Sequence, residues 1–164
     1  MATWSKTRAK LEKEYLAESL KGRIQYFAVS YSKSPDHWGR AAIRLDGKEV
    51  LKSSQYEFFL AQYKLEKEIE QKFDCDISYD MILQEILNKG YFDQDDFYIA
   101  FKEFDNQSIE KSLHSQNPIV RIFALLDRRV GKRRLISLKE EMKNELDWVY
   151  YFYQVRLEAE GLIW

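Results

Sequence analysis

Gly39-Arg40-Ala41-Ala42-Ile43-Arg44-Leu45-Asp46-Gly47-Lys48-Glu49-Val50 decides the fold class of this chain. Before Asp46, residues alternate: Ala41, Ile43 and Leu45 fall on one face, Arg40, Ala42 and Arg44 on the other. Asp-Gly between two such runs predicts a two-residue type I′ hairpin, whose central residues both need positive φ. That register sets Leu45 opposite Lys48, Arg44 opposite Glu49 and Ile43 opposite Val50, an opposite-charge pair beside an apolar pair. Upstream, Arg23 to Tyr31 is rich in β-branched and aromatic residues and reads as a further strand, with Ser34-Pro35-Asp36 as the turn. The result is a three-stranded antiparallel meander over residues 23–53.

Helical patterns flank the meander. Ser5 is placed to cap a first helix running to about Leu20, with Leu11 and Tyr15, and Leu16 and Leu20, as spaced apolar pairs and Gly22 at its end. Beyond the hairpin, Tyr56, Phe59, Leu60 and Tyr63 recur at helical spacing. Tyr79, Ile82, Leu83, Ile86 and Leu87 do the same, closed by Gly90. Asp93 and Asp96 suit the start of a helix carrying Phe97, Phe101 and Phe104. Asn117-Pro118 opens another, lined by Ile119, Ile122, Phe123 and Leu126 and ended by Gly131. Ser137 with Glu140 forms a capping-box pattern before a long last helix, with Met142, Leu146, Val149 and Tyr153 in one stripe and Trp148, Phe152 and Val155 widening it. We therefore expect an α+β protein: an N-terminal helix, the meander, then about five helices including a long C-terminal one, in one domain covering residues 1–164.

The 26 Lys and Arg nearly balance the 27 Asp and Glu, so no global field attracts nucleic acid or membrane. The 15% aromatic content argues for a folded globule. One cysteine, Cys75, excludes an intramolecular disulfide and suits a reducing cytoplasmic compartment. There is no apolar signal core at the N-terminus and no run long enough to span a bilayer, so no membrane role is expected.

Catalytic signatures are missing. Two separated histidines, His37 and His114, and one cysteine give no zinc-ligand spacing, and neither metal nor cofactor is expected. Asp93, Asp95 and Asp96 read as carboxylates favoured by a helix dipole rather than as a magnesium site. Cys75 lies between Asp74 and Asp76, whose charge weakens it as a nucleophile. No phosphate-binding glycine loop or nucleophile elbow occurs.

What remains is charge and aromatic surface. Leu126-Asp127-Arg128-Arg129-Val130-Gly131-Lys132-Arg133-Arg134-Leu135 packs five cations around one glycine, and Arg121 lies two helical turns before Arg128. Arg121, Arg128, Arg129, Lys132, Arg133 and Arg134 are the candidate binding residues, since guanidinium groups fork onto carboxylate or phosphate. The bland alternatives are cations settling the carbonyl end of a helix, or pairing with the chain's own acids such as Asp127. Trp38 and Arg40, with Tyr26, Tyr31 and Arg44, suggest a second surface on the sheet. Against it stands burial of those rings. Trp148 to Tyr153 holds five aromatics in six positions, and Gly161-Leu162-Ile163-Trp164 is an apolar tail; each reads first as core and second as interface.

Several segments together resemble an uncharacterised family of small bacterial cytosolic proteins. They are Trp4-Ser5-Lys6-Thr7, Ser19-Leu20-Lys21-Gly22-Arg23, Gly39-Arg40, Asp46-Gly47-Lys48-Glu49, Asn117-Pro118-Ile119-Val120-Arg121 and Leu126-Asp127-Arg128-Arg129-Val130-Gly131-Lys132-Arg133. The resemblance implies a bacterial cytosolic origin and transfers no catalytic residue.

The leading expectation is a non-enzymatic interaction protein whose partner presents an acidic surface, as in an immunity- or regulator-like pairing. One alternative is RNA or DNA binding through the basic segment 121–134. Another is an enzyme gripping a phosphorylated small molecule with these arginines, using His37 or Asp127 in acid–base work.

Overall fold

The computed structural model describes residues 3–30, 38–72 and 78–162. Tyr31, the turn at Ser34-Pro35-Asp36, His37, Cys75 with Asp74 and Asp76, and the tail residues Ile163 and Trp164 lie outside the described residues.

The hairpin joins β2 (Arg40–Leu45) to β3 (Lys48–Ser54) through Asp46 at φ 52° and Gly47 at φ 84°, as a type I′ turn requires. Leu45 faces Lys48 and Arg44 faces Glu49, but the register then shifts, and Ile43 faces Leu51 rather than Val50. The shift has a physical reason. An unbroken register would turn Leu51 to the outer face with Ala42 and set Lys52 against Ala41 inside. The bulge at Val50 puts Leu51 in the core and leaves Lys52 exposed. β1 (Ile24–Val29) pairs antiparallel with β2, giving the order β1-β2-β3.

The sheet's core face carries Ile24, Tyr26, Ala41, Ile43 and Leu51. Its other face holds Phe27 between two guanidinium groups, Arg8 at 4.3 Å and Arg44 at 4.2 Å from the ring centre. Ala42, on that same face, is also buried, so the middle of β2 is covered on both sides. At the free edge of β1, the Tyr26 N–H donates to the Glu12 carboxylate (3.2 Å), which blocks strand addition there.

The N-terminal segment departs from a continuous helix. Thr3, not Ser5, caps α1 (Trp4–Ala9), and the chain continues as a π-helix over Lys10–Tyr15 and a 3-10 turn over Glu18–Leu20. Leu11, inside the π-helix, and Leu16, extended at its end, are both buried. Gly22, at φ 80°, then turns the chain into β1.

After the sheet come α2 (Gln55–Lys72), α3 (Tyr79–Asn88), α4 (Gln94–Asp105), α5 (Ile109–Leu113) and α6 (Pro118–Leu125). α4 opens with a reciprocal capping box of Asp93 and Asp96, which are partly buried rather than solvated. In α6 every residue but Arg121 is buried. Phe123 meets Tyr26, Phe97 and Phe104 with ring centres 5.3, 6.0 and 5.7 Å apart, which ties sheet, α4 and α6 into one apolar cluster.

The capping box read at Ser137 and Glu140 does not form. Ser137 instead ends α7 (Lys132–Ser137), donating to the Arg134 carbonyl at 2.7 Å. A short α8 (Lys139–Met142) follows, and the last helix, α9 (Asp147–Ala159), starts ten residues beyond Ser137. Met142 therefore belongs to α8 and Leu146 precedes α9, while Val149, Phe152, Tyr153, Val155 and Leu157 of α9 are buried. The aromatic run is mainly core, with Tyr151 exposed. Among the described residues no helix is long and apolar enough to cross a membrane.

Candidate functional site

The basic segment forms a joint between α6 and α7, built differently from the sequence expectation. α6 stops at Leu125 and is capped by Leu126. Gly131 sits at the N-cap of α7 with φ −79° and ψ 173°, an extended conformation rather than the left-handed one that closes helices. Arg128 and Arg129 thus lie past the end of α6, where no helical turn receives them. Lys132, Arg133 and Arg134 are the first three residues of α7, the end where the helix dipole disfavours cations.

The joint is pinned from two directions. The Ala17 N–H donates to the Leu126 carbonyl (2.9 Å) and the Arg128 N–H to the Tyr15 carbonyl (2.7 Å), so the segment around Leu16 runs antiparallel to that around Asp127. From α9, the Arg156 guanidinium enters the core, 3% exposed, and donates to the carbonyls of Leu125 (2.9 Å), Asp127 (2.8 Å) and Val130 (2.7 Å). Its Nε bonds the Glu160 carboxylate at 3.0 Å, and Ser19 donates to the same oxygen at 2.7 Å. Burial draws the Arg156 pKa down, while Glu160 and Asp127 pull it back up. Tyr153 extends the anchoring to α7 through a bond from its hydroxyl to the Leu135 carbonyl (2.5 Å).

Most of the arginines are taken by carboxylates of the chain itself. Arg129 forks onto buried Asp127 (3.0 and 2.9 Å) and lies over the rings of Tyr15 and Phe104. Asp127 also accepts the Arg129 N–H at 2.7 Å, so it is an anchor bonded through both oxygens. Tyr15 in turn donates to Asp105; burial, reinforced by that carboxylate, pushes its pKa up to about 12. Arg121 forks onto Glu145 (2.9 and 2.8 Å) and donates to the Ser115 carbonyl, which draws it out of any ridge with Arg128. Arg134 forks onto Glu110 (2.8 Å for both bonds). Arg40 pairs with Glu49, and the Trp38 ring packs beside Tyr56 and Phe59, which places both next to α2 rather than in the joint.

Three candidates remain. Arg128, Lys132 and Arg133 are exposed, lie within six consecutive positions, and have no ion pair or side-chain hydrogen bond among the described residues. Their scaffold, Arg156 with Glu160, was not singled out from sequence. Its signal was a charged residue at a buried position, four residues after Phe152 and seven after Val149. Glu110 and Glu145 each lie 24 residues from the arginine they hold, and nothing local marks them.

Beside the joint, His114 closes α5 onto α8. Its Nδ1 meets the Glu110 carbonyl (3.0 Å) and its Nε2 the Glu141 carboxylate (2.9 Å). Both partners are acceptors, so the ring satisfies them only as an imidazolium. Its pKa is raised, first by the Glu110 carbonyl and then by Glu141. Among the described residues no three His, Cys, Asp or Glu side chains are grouped to hold a metal ion.

Sheet and helical layer define a small α+β protein. The chain belongs to the SF0329 protein family, whose model matches residues 3–157. No curated protein and no solved structure matches it.

Proposed function

We propose that this chain is a small bacterial cytosolic interaction protein that binds an acidic protein surface through Arg128, Lys132 and Arg133, in an immunity- or regulator-like pairing. The observation that carries this reading is the contrast within the joint. Arg121, Arg129 and Arg134 are neutralised internally, while Arg128, Lys132 and Arg133 form no ion pair among the described residues, with Lys132 only near enough to Glu160 to lower its pKa, on a backbone that buried Arg156 holds in place. Lys132 and Arg133 also occupy the first turn of α7, where the helix dipole gains nothing from positive charge. Cations that do not serve the fold, on a turn fixed before any partner arrives, suit recognition with little ordering cost.

Nucleic acid is the second reading. Phe27 speaks against base stacking on the sheet, since guanidinium groups sit over its ring. Three cations without an ion pair among the described residues of the joint are also few for phosphate binding, each contact adding roughly one unit to the salt slope. The test is affinity capture from a bacterial lysate with and without nuclease, using the wild-type chain and R128E/K132E/R133E. The proposal expects a nuclease-resistant acidic protein that the variant does not recover. Recovery of nucleic acid alone, or equal recovery of the protein by both chains, would overturn it.

A further inference from the structure

The stripe that makes α2 legible as a helix does not face the core. Tyr56 is 49% exposed, Phe59 46%, Leu60 40% and Tyr63 60%, and Trp38 extends the patch at 36%, with its ring centre 6.0 Å from Tyr56 and 5.8 Å from Phe59. Less exposed residues of the helix, such as Phe58, Gln62, Leu65 and Ile69, occupy the opposite side, and α3 packs against the helix. With ~200 Å² for a large side chain, these fractions leave roughly 450 Å² of ring and aliphatic surface in water. That is the size of a typical monomer's largest apolar patch, about 300–600 Å², a patch that is often functional. It also matches the apolar share, a little over half, of the about 800 Å² that each partner buries in a standard interface.

We propose that this outer face of α2 takes a second copy of the chain, helix against helix and antiparallel. The charges choose the occupant. Glu57, whose carboxylate also accepts the Ser54 N–H (3.0 Å), and Lys64 lie seven residues apart on one flank of the stripe and are both exposed. An antiparallel two-fold centred near Leu60 and Ala61 brings Glu57 of each copy against Lys64 of the other, and Phe59 of each against Tyr63 of the other. The face is thus complementary to itself, as an isologous interface must be. Other occupants fit poorly. An anionic membrane would meet Glu57, Glu66, Glu68 and Glu70 against Lys64 and Lys67. An acidic partner of the kind proposed for the joint would meet the same glutamates.

Sedimentation equilibrium on the full chain tests this, with F59E/Y63E, E57K, K64E and E57K/K64E beside the wild type and circular dichroism as a check on folding. The wild type should be a reversible dimer. F59E/Y63E should raise the dimer dissociation constant at least about tenfold. E57K and K64E should each weaken the dimer, since each sets like charges together, and E57K/K64E should restore it. A wild type that stays monomeric at the highest attainable concentration overturns the proposal. So does a dimer indifferent to F59E/Y63E, or a charge swap that fails to restore what the single changes lose.

Discussion

Replacing Arg156 with methionine should destabilise the fold by about 3–5 kcal/mol. The guanidinium serves three backbone carbonyls closed off from water and one partly buried carboxylate. Hydrogen bonds from a charged donor contribute about 1.5–3 kcal/mol each, and three carbonyls without donors would lose more than 4 kcal/mol in total. Two effects offset part of the loss: methionine fills much of the volume, and the desolvation of a buried cation disappears. At about 2–4 °C per kcal/mol for a chain of this size, the melting temperature should fall by roughly 10 °C. Urea unfolding followed by circular dichroism gives the free energy. Hydrogen exchange at the Arg128 amide, which bonds the Tyr15 carbonyl, tells whether the joint itself has loosened. Arg156→Lys should fall between wild type and Arg156→Met, because an ammonium keeps the charge without the planar fork. A loss below about 1 kcal/mol with unchanged Arg128 protection would refute the bracing role.

Further outcomes follow from the same geometry. Arg133→Glu should raise stability by about 0.3–1 kcal/mol in urea unfolding, since it places an acid in the first turn of α7, and yet weaken partner capture. Arg121→Ala should cost about 2–3 kcal/mol, because it strands a mostly buried Glu145, and should leave capture unchanged. The contribution of the Asp93 and Asp96 pair to stability should fall as pH rises from about 4 to 7, opposite in sign to that of Glu110, Glu140 and Glu160, whose pKa values are lowered. Burial holds the Asp96 pKa at about 7 against 3.8 for the ordinary carboxyl, so the folded chain binds more protons than the unfolded one there. Asp96→Asn should remove that contribution in thermal melts, and a wild-type advantage over the variant that grows as pH rises would contradict the assignment. The His114 clasp has the same sign. Its pKa is raised from 6.5, so its contribution is full below that value and lost as pH rises through the folded pKa. Histidine ring shifts in NMR should report an imidazolium persisting above pH 6.5, and His114→Gln should remove the transition.

Local chemistry was legible and remote partners were not. Asp46-Gly47 fixed the hairpin because two consecutive residues had to take positive φ, and Asn117-Pro118 and Asp93 with Asp96 marked helix starts by their own hydrogen bonds. The bulge at Val50 escaped notice because alternation alone does not show which strand carries an extra residue. Gly131 was misread because glycine serves both helix ends, and only its φ distinguishes them. What ends α6 is accompanied by Arg156, about thirty residues away, whose donors satisfy the carbonyls that the helix leaves open. The same distance hid the sorting of the basic segment. Six cations look alike in sequence until Glu110, Glu145 and Asp127 claim three of them.

The most direct measurement is the affinity of the captured partner for R128E/K132E/R133E, compared with K48E/K52E, which reverses exposed lysines on the hairpin. If the joint is the binding surface, the triple variant should lose at least about tenfold in affinity and the hairpin variant should bind within about twofold of wild type. Equal losses in both, or none in the triple variant, would contradict it.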